Sequence, residues 1–156
     1  MFDPNIPVKI FTSYAHDDES LREKLDKHMA MIRRHPAVHI WNDRGIEPGE
    51  EWDEEIKKEL DSADIILLLV SSNFLASDYI YKVELKGALE KHAAKEAVVI
   101  PIIMKPCDWT FAEFAMLQGL PKNAKPVSKW DDEDEALVDV VKGINRVILR
   151  VQKRKG

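Results

Sequence analysis

The sequence predicts an α/β fold: a flavodoxin-like, doubly wound, five-stranded parallel sheet with helices on both faces. Two observations carry this. Ile65, Ile66, Leu67, Leu68, Leu69 and Val70 form an unbroken apolar run, which suits a central strand covered on both sides. Around it, short β-branched runs alternate with stretches whose apolar residues recur every three or four positions. Strand followed by helix, repeated, means parallel strands wrapped by helices. No repeat, low-complexity tract or linker breaks the 156 residues. That length suits one domain over 1–156, with a core over about 8–148.

The first strand is read at residues 8–12, where Val8, Ile10 and Phe11 are apolar. The acidic stretch Asp17, Asp18, Glu19 opens a helix, and Leu21, Leu25, Met29 and Ile32 give it one buried stripe. Pro36 breaks that pattern before a second strand, Val38–Trp41. Residues 42–49 hold Gly45, Pro48 and Gly49 and read as a loop with specific backbone demands. Trp52, Ile56 and Leu60 mark the next amphipathic helix. After the central strand, a helix is expected over 77–92. Val98–Ile103 is the fourth strand. Its Pro101 lacks a ladder donor, so the strand is expected near an edge or with a bulge. Residues 105–125 are less regular, with one short helix expected near 111–117. Pro126, Val127 and Ser128 read as the fifth strand. The last helix starts in the acidic run 131–135 and presents Leu137, Val140, Val141, Ile144 and Ile148.

Composition excludes several function classes. Hydrophobic residues make up 45% and charged residues 33%, which builds a core and argues against intrinsic disorder. The net charge of −5 argues against a general nucleic-acid binder, which needs a basic stripe to displace counterions. The longest apolar run is far short of the roughly 20 residues that span a bilayer, so no membrane span is expected. The opening Met1, Phe2, Asp3, Pro4, Asn5 has neither a basic nor an apolar stretch, so no signal peptide is expected. Cys107 is the only cysteine. It cannot form an internal disulfide, and it suits a reducing cytoplasm. The histidines lack metal-ligand spacing, so no metal is expected.

In a doubly wound sheet, ligands sit beyond the carboxyl ends of the strands. A dinucleotide turn after the first strand needs glycines to meet a pyrophosphate. Here Ser13, Tyr14, Ala15, His16, Asp17 and Asp18 stand there, without glycine and with two acids. No Walker loop is present. A receiver domain would need an aspartate nucleophile at the end of strand three, where Ser71 and Ser72 stand instead. Cys107 has no histidine near it in sequence. The carboxylate with the best position is Glu84. On a regular helix it shares a face with Ile80 and Tyr81, and with Gly87 and Ala88 one turn on. The competing reading is a surface glutamate paired with Lys86 or Lys91.

Taken together, these boxes resemble a family. Phe11, Thr12, Ser13, Tyr14 resembles the first box of TIR (Toll/interleukin-1 receptor) domains. Residues 43–49 are similar to the second box and its loop. The stretch containing Ser71, Ser77 and Glu84 resembles the segment that holds the family's catalytic glutamate. Val99 to Ile103 is similar to the fourth strand, and Pro106, Cys107, Asp108, Trp109 resembles a stretch of bacterial members. The likeness runs in order from Val8 to Ile148, so the chain is identified as a single bacterial-type TIR domain.

The resemblance implies an NAD+ hydrolase that releases nicotinamide and leaves ADP-ribose or a cyclic ADP-ribose. It also implies activation by self-association through TIR–TIR contacts, with other TIR domains as further partners. Glu84 would be the catalytic acid. Ser13, Tyr14, Asp43, Trp52, Ile80 and Tyr81 would line the substrate site. Arg44, Gly45, Ile46, Pro48 and Gly49 would form an interaction loop. NAD+ would be the substrate, with no separate cofactor. Arg44, Lys82 and His16 are the candidates to meet the pyrophosphate. Catalytic members often carry a tryptophan four residues before the glutamate. Ile80 stands there instead, and Tyr81 is the candidate aromatic wall. The implied setting is bacterial immune or effector signalling in the cytoplasm, with secretion left open. The alternative is a non-catalytic TIR adaptor, or a mimic that perturbs host TIR signalling.

Overall fold

A computed structural model describes residues 1–42 and 52–156. Among the described residues, four strands form one parallel sheet in the order β2-β1-β3-β4. These are β1 (Val8–Ser13), β2 (Val38–Trp41), β3 (Ile65–Val70) and β4 (Val98–Ile103). β3 pairs with β1 on one side, Ile10 opposite Ile65, and with β4 on the other, Ile65 opposite Val98. All six β3 side chains are buried, as the apolar run requires.

Alternating β3 side chains feed two cores. Ile65, Leu67 and Leu69 face α1 (Glu19–His28), α2 (Ala30–Arg33) and α6 (Glu133–Lys155), through Leu25, Ile32, Val140, Ile144 and Ile148. Ile66, Leu68 and Val70 face the opposite layer. That layer comprises α3 (Trp52–Ser62), α4 (Ser72–Ala76), a π-helical turn (Ile80–Leu85) and α5 (Lys86–Ala93). Ile56, Leu60, Phe74, Ile80, Leu85 and Ala88 close that side.

The sheet has four strands rather than the expected five. Val127–Lys129 is a single 3₁₀ turn, and only Ser128 N–H reaches back, to Met104 O at 3.2 Å. Pro126 has no donor for a ladder, and two further residues cannot make a strand. The outer edge of β4 is met instead by one residue, Leu120, in a bridge to Ile102. Leu120 N–H donates to Pro101 O at 2.8 Å, and Ile103 N–H donates to Leu120 O at 2.8 Å. Pro101 therefore turns its nitrogen toward the edge and costs no bond to β3. Residues 111–117 form successive turns rather than the expected helix.

The two ends of α6 follow the charge pattern. α6 is capped by Asp132, whose side chain accepts from Asp134 N–H at 2.8 Å. Its first turn is acidic and its last turn basic, both favourable to the helix dipole. At its far end, buried Gln152 holds the N-terminal segment. Its Oε1 accepts from Asp3 N–H at 2.9 Å, and its Nε2 donates to Asp3 O at 2.9 Å and Ile6 O at 2.8 Å. Lys155 Nζ adds bonds to Pro7 O at 2.7 Å and Asp64 Oδ2 at 2.9 Å. Among the described residues, no helix is long and apolar enough to cross a membrane.

Replacing Gln152 by alanine removes three bonds at once. We expect a loss of about 1–3 kcal/mol in urea unfolding, the usual cost of stranding buried polar partners. An unchanged midpoint would mean that this clasp contributes nothing.

Candidate functional site

The site grows from two adjacent strand ends. β1 runs out at Ser13 into Tyr14, Ala15 and a short 3₁₀ turn, His16–Asp18. β3 runs out at Val70 into Ser71, which caps α4 by accepting from Phe74 N–H at 3.0 Å. Because β1 and β3 are neighbours and parallel, both exits open at one rim. Buried Asp18 joins them. Its Oδ2 accepts from the Ser71 hydroxyl, and its Oδ1 accepts from Asn73 Nδ2 at 2.8 Å.

A cavity of about 260 Å³ lies against this junction. From the β1 exit it is lined by Tyr14, Ala15, His16 and Asp17, and from α3 by Trp52. Asn73, Ala76 and Ser77 come from the α4 region, Ile80 and Glu84 from the π-helical turn, and Tyr79 from the residue just before that turn. The aromatic rings form an arc. Trp52 packs on Tyr79 at 4.6 Å between centroids, and His16 stacks over Trp52 at 6.5 Å. The Tyr79 hydroxyl donates to Asp53 Oδ1 at 2.7 Å, which ties the π segment to the first turn of α3. That bond, with Lys57 beside it, holds the Asp53 carboxyl below its ordinary value.

Glu84 is only 6% exposed and lines the cavity. The surface reading, a glutamate spent on lysines in solvent, does not describe this position. Its setting depends on the π turn. A π turn takes more residues per turn than an α-helix, so the residues one turn before Glu84 become Ile80 and Tyr79 rather than Ile80 and Tyr81. Tyr81 is 54% exposed, and its hydroxyl donates to Glu113 Oε1 at 3.0 Å. The aromatic of this stretch that shares the cavity wall with Glu84 is thus Tyr79, which regular helical spacing did not identify. Asn73 was missed as well, because its partner Asp18 lies 55 residues away.

The other expected site residues are distributed as follows. Trp52 and Ile80 line the cavity. Tyr14 lines it as well, and its hydroxyl donates to Glu19 Oε2 at 2.6 Å. Ser13 is buried at the strand end and is not part of the lining. Lys82 faces a separate groove between α3 and α5, together with Lys57, Lys86 and Lys91. Asp43, Arg44, Gly45, Ile46, Pro48 and Gly49 lie outside the described residues. Cys107 has its thiol pushed up by burial and by Asp108 and Asp18, which makes it a poor nucleophile at neutral pH. Among the described residues, no group of side chains could hold a metal ion.

Comparison with known proteins adds three findings. A family model for the TIR domain matches residues 10–140. A Sinorhizobium fredii (strain NBRC 101917 / NGR234) protein, "Uncharacterized protein y4lF", is 43% identical over 144 residues, covering 92% of this chain. The chain spans 45% of that relative's length. The TIR domains of the activated Roq1 resistosome that recognises the pathogen effector XopQ align with a TM-score of 0.49 and 18% identity, over 94% of this chain and 80% of that one.

The Tyr79 bond to Asp53 has a titration signature. A depressed carboxyl contributes stability above its ordinary range, and that contribution is lost as pH falls through the depressed value. Tyr79→Phe should move the Asp53 midpoint upward in a carboxylate NMR titration. An unmoved midpoint would mean that the hydroxyl does not hold Asp53 in solution.

Proposed function

This chain belongs to the TIR domain family, and on that premise we propose that it is an NAD+ hydrolase that releases nicotinamide. The observation carrying this reading is Glu84, a buried carboxylate on the wall of an open cavity beside an aromatic arc. The reaction needs little more from the protein. In NAD+ the nicotinamide is already cationic, so it departs neutral and requires no general acid. What needs help is the ribosyl centre, which becomes oxocarbenium-like as the glycosidic bond breaks. A single carboxylate, held where water is scarce, offsets that developing charge and accepts hydrogen bonds from the ribose hydroxyls. Tyr79, Trp52 and His16 offer flat faces for the rings of the substrate. Attack by water then gives ADP-ribose, and attack by the adenine gives a cyclic product.

The pyrophosphate needs cations. His16 is the only basic side chain among the described lining residues. We assign the remaining charge to Arg44 in the second-box loop and to a second copy brought in by TIR–TIR contacts. On this reading 1–156 is one TIR module, switched on by self-association and acting in the cytoplasm in bacterial defence or effector signalling.

The test is NAD+ consumption by clustered protein. Glu84→Gln keeps the side-chain volume and removes the charge, and it should lower the rate by roughly 10²–10³-fold, as expected for loss of a transition-state charge partner. Equal background loss by wild type and Glu84→Gln would remove the hydrolase reading. What would remain is a TIR module that acts through contacts alone.

A further inference from the structure

We infer that Asn73 recognises the carboxamide of the leaving group through its side-chain oxygen, and that Asp18 sets the direction in which that amide faces. The inference rests on the part of the proposed function that brings NAD+ into this cavity. Asn73 stands on α4 just past the β3 exit and lines the same cavity as Glu84. Its Nδ2 donates to Asp18 Oδ1 at 2.8 Å. Asp18 is 4% exposed, and as a carboxylate it only accepts hydrogen bonds. The nitrogen end of the Asn73 amide must therefore point at Asp18, because the reversed amide would set oxygen against oxygen.

Asp18 is itself held in place. Its second oxygen accepts from the Ser71 hydroxyl. The Ser71 oxygen in turn accepts from Phe74 N–H at 3.0 Å at the start of α4. Each group in this series has its donor or acceptor role settled by the one before it. What Asn73 has left to present is Oδ1, an acceptor, and beside it the second N–H of Nδ2, a donor. Nicotinamide carries one hydrogen-bond donor, the NH₂ of its carboxamide. The corresponding acid has no donor at neutral pH and adds a negative charge. A carboxamide can meet both, its NH₂ on Oδ1 and its oxygen on the N–H, whereas a carboxylate meets only the N–H and sets its other oxygen against Oδ1. With Glu84 assigned to the ribose, Asn73 becomes the group that tells an amide dinucleotide from its deamidated form.

The experiment compares NAD+ with nicotinic acid adenine dinucleotide, following release of the free pyridine. A site built to pair with a substrate N–H rejects analogues lacking it strongly, so wild type should prefer NAD+ by about 100-fold or more in kcat/KM. Asn73→Ala should bring that ratio to within about tenfold, mainly by raising KM for NAD+. Asp18→Asn can donate as well as accept, so it frees the Asn73 amide to reverse and should erode the preference in the same direction. Asn73 is exposed, and in its alanine variant Asp18 keeps the bond from Ser71, so that variant, its fold checked by circular dichroism, decides the matter even where Asp18→Asn does not fold. Binding of nicotinamide and nicotinate, followed by saturation-transfer NMR on the same proteins, separates this inference from the hydrolase reading. Preferential nicotinamide binding that disappears in Asn73→Ala, with no NAD+ cleavage by wild type, upholds the inference and removes the hydrolase. No preference in rate or binding by wild type, or a preference that Asn73→Ala retains, overturns the inference.

Discussion

All six side chains of β3 lie out of solvent, and a strand buried in this way must be paired on both edges and covered on both faces. β1 and β4 meet the first demand, and the two helical layers meet the second. Parallel pairing then brings the carboxyl ends of β1 and β3 to the same rim, where β1 ends at Ser13 opposite Leu68 and β3 runs on to Val70 before Ser71 leaves it. The junction cannot spread, because Asp18 from the first exit takes hydrogen bonds from Ser71 and Asn73 at the second. The cavity is the space beside this knot, and its shape follows from the burial of one apolar hexapeptide.

Much of the fold was legible because its signals are local. The apolar run of β3, the acidic start of α6 and the helical stripes each sit within a few consecutive residues. Pro101 was legible for the same reason, since a missing N–H is a property of one residue. The fifth strand was not. Its place at the sheet edge is met by Leu120 alone, and a single bridge has no periodicity to read. The stretch 111–117 resembles a helix in composition, yet each of its backbone bonds closes only a local turn.

At the site, the places of Glu84, Ile80 and Trp52 on the cavity wall were legible, but Tyr79 and Asn73 were not. Reading the helix at 3.6 residues per turn places Tyr81 beside the carboxylate. The π-helical turn inserts a longer step, so Tyr79 faces the cavity and Tyr81 goes out to Glu113. Such turns recur at functional sites in other proteins, and here the turn keeps an aromatic ring beside the acid despite a shifted spacing. Asp17 and Asp18 read alike in sequence, as acids at a helix start. Only the tertiary contact separates them: Asp17 reaches the cavity lining, while Asp18 lies beneath it as a buried strut.

The clasp around Gln152 brings residue 3 against residue 152, and Ile6 against Gly156. These contacts lie near the amino end of β1, whereas the cavity opens beyond its carboxyl end. The clasp therefore braces the pole opposite the cavity mouth, and none of the residues it joins belongs to the lining.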